Sequence, residues 1–235
     1  MIEIMDLQLL TNDILAERLL TQFNSKRYVE WAENLMQLGY ESENLFILAG
    51  LDNEYSDIRE NYFWKTIKDL KIKVNKSEEE LIENFAISIA EKVINKQINI
   101  DFAFNIMIRI VYKTNYNSRY LDFFIIDEDL DNLYYNKISE SPDGLNFDNK
   151  DDYIKNEFSI FLQMEKLNIP IDERKLCYCE KCKKLMEPKL KTKYQIKSPF
   201  KYNVWCCYYC NSENIKFNGN QEVKKMIIEN FKNKS

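Results

Sequence analysis

Cys177-Tyr178-Cys179-Glu180-Lys181-Cys182 and Cys206-Cys207-Tyr208-Tyr209-Cys210 hold all six cysteines of the chain. They form two C-x2-C pairs, Cys179/Cys182 and Cys207/Cys210, with Lys183 to Cys206 between them, room for two strands and their turns. Each pair sets two thiolates on one tight turn. Two such turns facing each other supply the tetrahedral sulfur cage that Zn2+ takes in structural sites. Four protein ligands leave no position for a water, so the expected cofactor is a structural Zn2+ and no catalytic residue is assigned to it. Disulfides would need an oxidising compartment, and residues 1–20 lack the pattern of a secretory signal. A redox C-x-x-C would sit between a strand and a helix, whereas Lys183-Lys184 and Pro188 suit a hairpin. Cys177 and Cys206 remain as alternate ligands, Cys177 for Cys179 and Cys206 for Cys207. With no histidine to extend the set, both are expected to be small packing residues.

Over residues 170–219 the paired cysteines resemble the zinc-ribbon class, which implies a small β module. Charge separates this region from the rest. Residues 1–169 carry 18 Lys+Arg against 31 Asp+Glu, net −13, and residues 170–235 carry 15 against 7, net +8. Three parts are therefore expected: an acidic all-helical domain over 1–169, a basic four-cysteine zinc ribbon over 170–219 and a C-terminal helix over 220–235. A composition of 45% hydrophobic residues, 14% of all residues aromatic, is enough for a core. No apolar run approaches the ~20 residues of a membrane span, which points to a cytoplasmic protein without a membrane partner. The wealth of Asn, Lys and Ile resembles the coding bias of an AT-rich genome, and a bacterial or phage source is expected.

N-terminal to the cysteines the apolar residues recur at helical spacing. Asp151 to Leu167 places Ile154, Phe158, Phe161 and Leu162 on one face, and Pro170 closes it. Phe102 to Tyr112 is apolar nearly all round and is expected to be the central buried helix, with Asn105 and Arg109 marking its solvated edge. Ser77 and Glu80 form a capping box opening Glu78 to Lys96. Earlier come Asp57 to Leu70, Ser42 to Ala49, and two helices between Asp6 and Tyr40, the second capped by Ser25 and ended by Gly39. C-terminal to the first cysteines, Lys189 to Lys197 and Lys201 to Trp205 read as hairpin strands around Ser198-Pro199. Ile215 to Phe217 reads as a third strand, and Gln221 to Phe231 as a last helix. The fold class is thus mainly α with a small β ribbon.

Trp31-Ala32-Glu33, Leu35, Gly39-Tyr40, Ser42 and Leu45-Phe-Ile-Leu-Ala-Gly-Leu51 resemble a pattern in small, uncharacterised bacterial helical proteins, some of them immunity-like partners of toxins. The resemblance implies a protein partner and no catalytic residue.

Two surfaces compete for function. Asp127, Glu128, Asp129 and Asp131 are the densest acids and read as a solvated turn or helix N-terminus. They are also the candidate surface for a basic protein. Against them stand Lys189, Lys191, Lys193, Lys197 and Lys201 with Tyr194, in a stretch from Lys183 to Lys201 that has seven lysines and one acid, Glu187. Lysines meet phosphates and aromatics meet bases, so the hairpin 183–205 is the candidate nucleic-acid contact, unless its aromatics form the ribbon's core. All four glycines have helix-end or turn duties and there is no histidine, which removes phosphate loops and Ser-His or Cys-His chemistry. The sequence reads as a non-enzymatic protein-interaction protein, immunity-like or inhibitor-like. A nucleic-acid-binding ribbon is the alternative.

Overall fold

The computed structural model describes residues 2–20, 22–74, 76–137, 141 and 143–234. Among them are ten helices and five short strands, a mainly α chain with a cysteine-rich β region followed by a last helix. The chain forms two compact units, Met1–Ile89 with Tyr112–Thr114 and Ala90–Val111 with Asn115–Ser235. The expected boundary at 169/170 falls inside the second of them.

The first unit contains α1 (Ile2–Leu19), α2 (Lys26–Gln37), α3 (Glu43–Ala49), α4 (Ser56–Asp69) and most of α5 (Glu78–Ile94). Its core is aromatic. Phe63 stacks on Tyr28 at 4.5 Å and meets Trp31 edge-on at 4.9 Å, and all three are buried. α2 ends as expected: Gly39 has φ +86°, and the Tyr40 amide reaches back to the Leu35 carbonyl at 3.0 Å. Ser42 caps α3 through the Leu45 amide, and Ser77 and Glu80 make the reciprocal capping box of α5. Ser25 does not cap α2, because its hydroxyl faces inward and accepts from Arg59 Nη1 at 2.8 Å. Arg59 is itself buried. It also donates to the carbonyls of Leu51 and Asp52, so neutral oxygens rather than a carboxylate hold its charge.

The second unit contains α6 (Ile100–Lys113, through Val111), α7 (Leu121–Asn136), α8 (Lys150–Lys166), α9 (Ile171–Arg174), the strands, and α10 (Gln221–Lys234). Phe123 of α7 lies 4.9 Å from Phe158 and 5.9 Å from Phe161 of α8. α6 buries Ala103, Phe104, Ile106, Met107, Ile108, Ile110 and Val111, and Asn105 lies on its exposed side as expected. α10 docks on α8: Val223, Ile227 and Ile228 share a buried cluster with Ile160, Met164 and Ile169, onto which Tyr178 and Leu185 of the β region pack. Asn220 caps α10 by accepting from Glu222 and Val223, and the Asp143 carboxylate accepts from the Gln221 amide at 2.6 Å.

The acidic run is neither a turn nor a helix N-terminus. It lies in the interior of α7, whose apolar stripe continues from Phe123 and Ile126 to Leu133. Asp129 falls on that stripe and is buried, its carboxylate accepting from the Ser141 amide at 3.1 Å.

Candidate functional site

Two antiparallel sheets build the site. β1 (Cys177–Cys179) lies between β2 (Lys184–Met186) and β5 (Ile215–Lys216), while β3 (Pro188–Tyr194) pairs with β4 (Lys201–Cys207) alone. The two C-x2-C turns fold alike. After each second cysteine the chain takes a left-handed residue, Lys183 at φ +57° and Asn211 at φ +54°. Its amide returns to the carbonyl of the first cysteine, Lys183 to Cys179 at 2.8 Å and Asn211 to Cys207 at 3.0 Å.

These matched turns bring the four expected ligands together. Cys179 Sγ is 3.6 Å from Cys210 Sγ, Cys182 Sγ is 3.6 Å from Cys207 Sγ, and all four sulfurs lie within 4.8 Å of one another. Zn–S bonds of about 2.3 Å at the tetrahedral angle place sulfurs roughly 3.8 Å apart, so the cluster is sized for a metal ion and compatible with zinc. A disulfide would need about 2.05 Å, and all six cysteines are free. Burial opposes ionisation of Cys207, yet the amides of Cys210 and Tyr209 and the neighbouring sulfurs bring its thiol down to about 7. Cys177 and Cys206 are fully buried and outside the cluster. Cys177 packs with Met186, and burial pushes its thiol up, as suits a packing residue.

No family model, curated protein or solved structure matches this chain.

Cys207 anchors the base of the β3–β4 hairpin, where it pairs with Pro188. Outward from it the rungs alternate between faces. Leu190/Trp205, Thr192/Asn203 and Tyr194/Lys201 share one face, and Thr192 Oγ1 bonds Asn203 Oδ1 at 2.9 Å across it. Lys189/Cys206, Lys191/Val204 and Lys193/Tyr202 share the other. Trp205 and Tyr194 thereby come onto one face, joined by Lys201, and Lys189, Lys191 and Lys193 onto the other, joined by Tyr202. The aromatics do not form the ribbon's core: Tyr194 is 78% exposed, Phe200 66% and Trp205 47%. Lys191, Lys197 and Lys201 are exposed, whereas Lys193 bonds Glu213 at 2.5 Å, which holds its ammonium pKa up. Lys189 and Lys184 stand over the rings of Tyr208 and Tyr209 at 5.2 and 4.8 Å.

The acidic candidates divide. Asp127 is half-buried, Glu128 and Asp131 are exposed, and Asp129 is turned inward. A polar cluster absent from the sequence reading lies nearby. Buried Lys224 reaches Glu157 at 2.7 Å and Asp122 at 2.9 Å, and Gln221 Nε2 donates to Glu157 at 2.9 Å. Asp122, Glu157 and Lys224 border a cavity of about 280 Å³ and are engaged with one another. One signal could have found them. Lys224 shares the apolar stripe of Val223, Ile227 and Ile228, and Glu157 adjoins Phe158 within another, so two opposite charges sit at core positions.

Proposed function

We propose that this is a non-enzymatic binding protein in which a structural zinc ion holds Cys179, Cys182, Cys207 and Cys210 together and so stiffens a hairpin that grips nucleic acid. The observation that carries this reading is the exposure of Tyr194, Phe200 and Trp205 on a hairpin whose stretch from Lys183 to Lys201 has a single acid. Lysine ammonium groups attract phosphates without regard to sequence, and exposed rings offer stacking surfaces. A four-thiolate metal has no open position for substrate, which suits a structural ion.

The purified protein is expected to carry one Zn2+ per chain, lost on Cys179→Ser or Cys207→Ser and kept on Cys177→Ala. Titration with mixed-sequence DNA and RNA tests the binding. The logarithm of affinity should fall with the logarithm of salt at about 0.7 to 0.9 per phosphate contact, so each hairpin lysine that meets a phosphate should, when replaced by Ala, flatten the slope by about that amount. Lys193→Ala should change it less, since Glu213 already neutralises that charge. Absence of binding at about 50 mM salt, where such contacts are strongest, would sink the reading.

A second reading, a basic protein partner of the kind implied by the immunity-like resemblance, is favoured by one observation. Glu128 and Asp131 are exposed on α7 together with Ile125, Tyr134 and Tyr135, a mixed charged and apolar surface. Reversing Asp127, Glu128 and Asp131 to Lys should slow association with such a partner and leave nucleic-acid binding intact.

A further inference from the structure

We propose, resting on the nucleic-acid reading above, that the hairpin's ligand is single-stranded and that its bases stack on the face carrying Trp205 and Tyr194. A duplex keeps its base faces stacked on one another, so exposed flat rings serve only bases that have left the stack. A duplex held by its phosphates would use the lysine face, Lys189 and Lys191, and leave Trp205 and Tyr194 in water.

The spacing of the face suits splayed bases. Side chains on one face of a strand repeat at about 6.8 Å, twice the ~3.4 Å rise per residue. Stacked bases along one strand repeat at about 3.4 Å, so bases using successive rungs of this face have separated from their neighbours. Trp205 and Tyr194 lie two such rungs apart. The rung between them, Thr192/Asn203, presents a hydroxyl and a carboxamide that can meet a base edge. Charge completes the fit: exposed Lys201 shares the rung of Tyr194, and the connecting turn carries exposed Lys197 as well as Phe200. The face thus reads from its base outward as stack, hydrogen bond, stack, with cations at its outer end for the phosphates of the strand. Tyr208 and Tyr209 are less suited to stacking, because each has a lysine ammonium over its ring.

The test uses the full zinc-loaded chain, a labelled twelve-residue oligothymidylate, the matching oligouridylate, and a twelve-base-pair mixed duplex, with anisotropy as the readout. Either single strand should bind at least tenfold tighter than the duplex. Trp205→Ala and Tyr194→Ala should each weaken single-strand binding roughly 5- to 150-fold. Trp205→Phe, which keeps a ring, should restore most of it, and unchanged zinc content certifies that the variants fold. Equal affinity for duplex and single strand, unmoved by both aromatic replacements but reduced by Lys189→Ala and Lys191→Ala, would overturn this inference and leave the broader reading standing. No binding to any of the three probes would remove both.

Discussion

Asp127 lies beside Glu128 and one helical turn from Asp131, and burial first, then Asp131 and Glu128, raises its carboxyl above the ordinary value of 3.8. The folded state therefore binds this proton more tightly than the unfolded chain does. The resulting stability is complete below the unfolded pKa and is lost as pH rises through the folded one. Asp127→Asn removes the charge that is costly at neutral pH. Its urea midpoint should exceed the parent's at pH 7, and the two should converge below about pH 4. Buried Lys224 poses the opposite case, since it needs its carboxylates. Glu157→Ala should lower stability by about 3 kcal/mol in urea unfolding, with Asp122 as the remaining partner. At this scale the clustering of the four cysteines was legible because spacing alone selects two matched turns. Asp129 and the Glu157–Lys224 pair were legible only as charges on apolar stripes, because the partners that satisfy them lie elsewhere in the sequence, Ser141 in one case and a residue 67 positions away in the other.

Among the elements, the two cysteine turns have the same shape but different side chains at the left-handed position. Lysine is disfavoured there by about 1 to 2 kcal/mol, whereas asparagine tolerates it. Lys183→Gly should therefore stabilise the ribbon by roughly 0.5 to 1 kcal/mol after the added flexibility of the unfolded chain is counted, and Asn211→Gly should do little. Resistance of bound zinc to a competing chelator would measure the difference. Most of the helices were readable from apolar periodicity, with Ser42 and Ser77 as caps, and the hairpin from its Ser198-Pro199 turn, whereas α7 and the short α9 were not. The acidic run of α7 misled because four charges in five residues resemble a solvated end, while Phe123, Ile126 and Leu133 carry the helix through. A core role for the hairpin aromatics, open on sequence grounds, is one that a two-stranded ribbon exposed on both faces does not provide.

For the whole molecule, charge and compactness divide the chain differently. The first compact unit has 10 basic against 17 acidic residues, net −7, and the second 23 against 21, net +2. Net charge belongs to surfaces, whereas a compact unit follows shared apolar faces, and α8 shares its face with α10 across the intervening ribbon. Zinc removal should accordingly abolish amide-exchange protection in β1 to β5 and reduce it in α10, while the Phe63 core of the first unit keeps its own. Retained protection throughout β3 and β4 after chelation would show that the hairpin stands without metal.

The docking of α10 on α8 has a thermodynamic corollary. The chain from Asn168 to Asn220 must be closed into a loop before Val223 and Ile227 can reach Ile160. A bound ion pins the middle of that loop and lowers its closure entropy, so ion binding and helix docking are mutually favourable. Such coupling is reciprocal. Ile227→Ala, outside the cysteine region, should weaken zinc binding by up to the factor by which zinc strengthens docking, making the last helix a remote determinant of metal affinity.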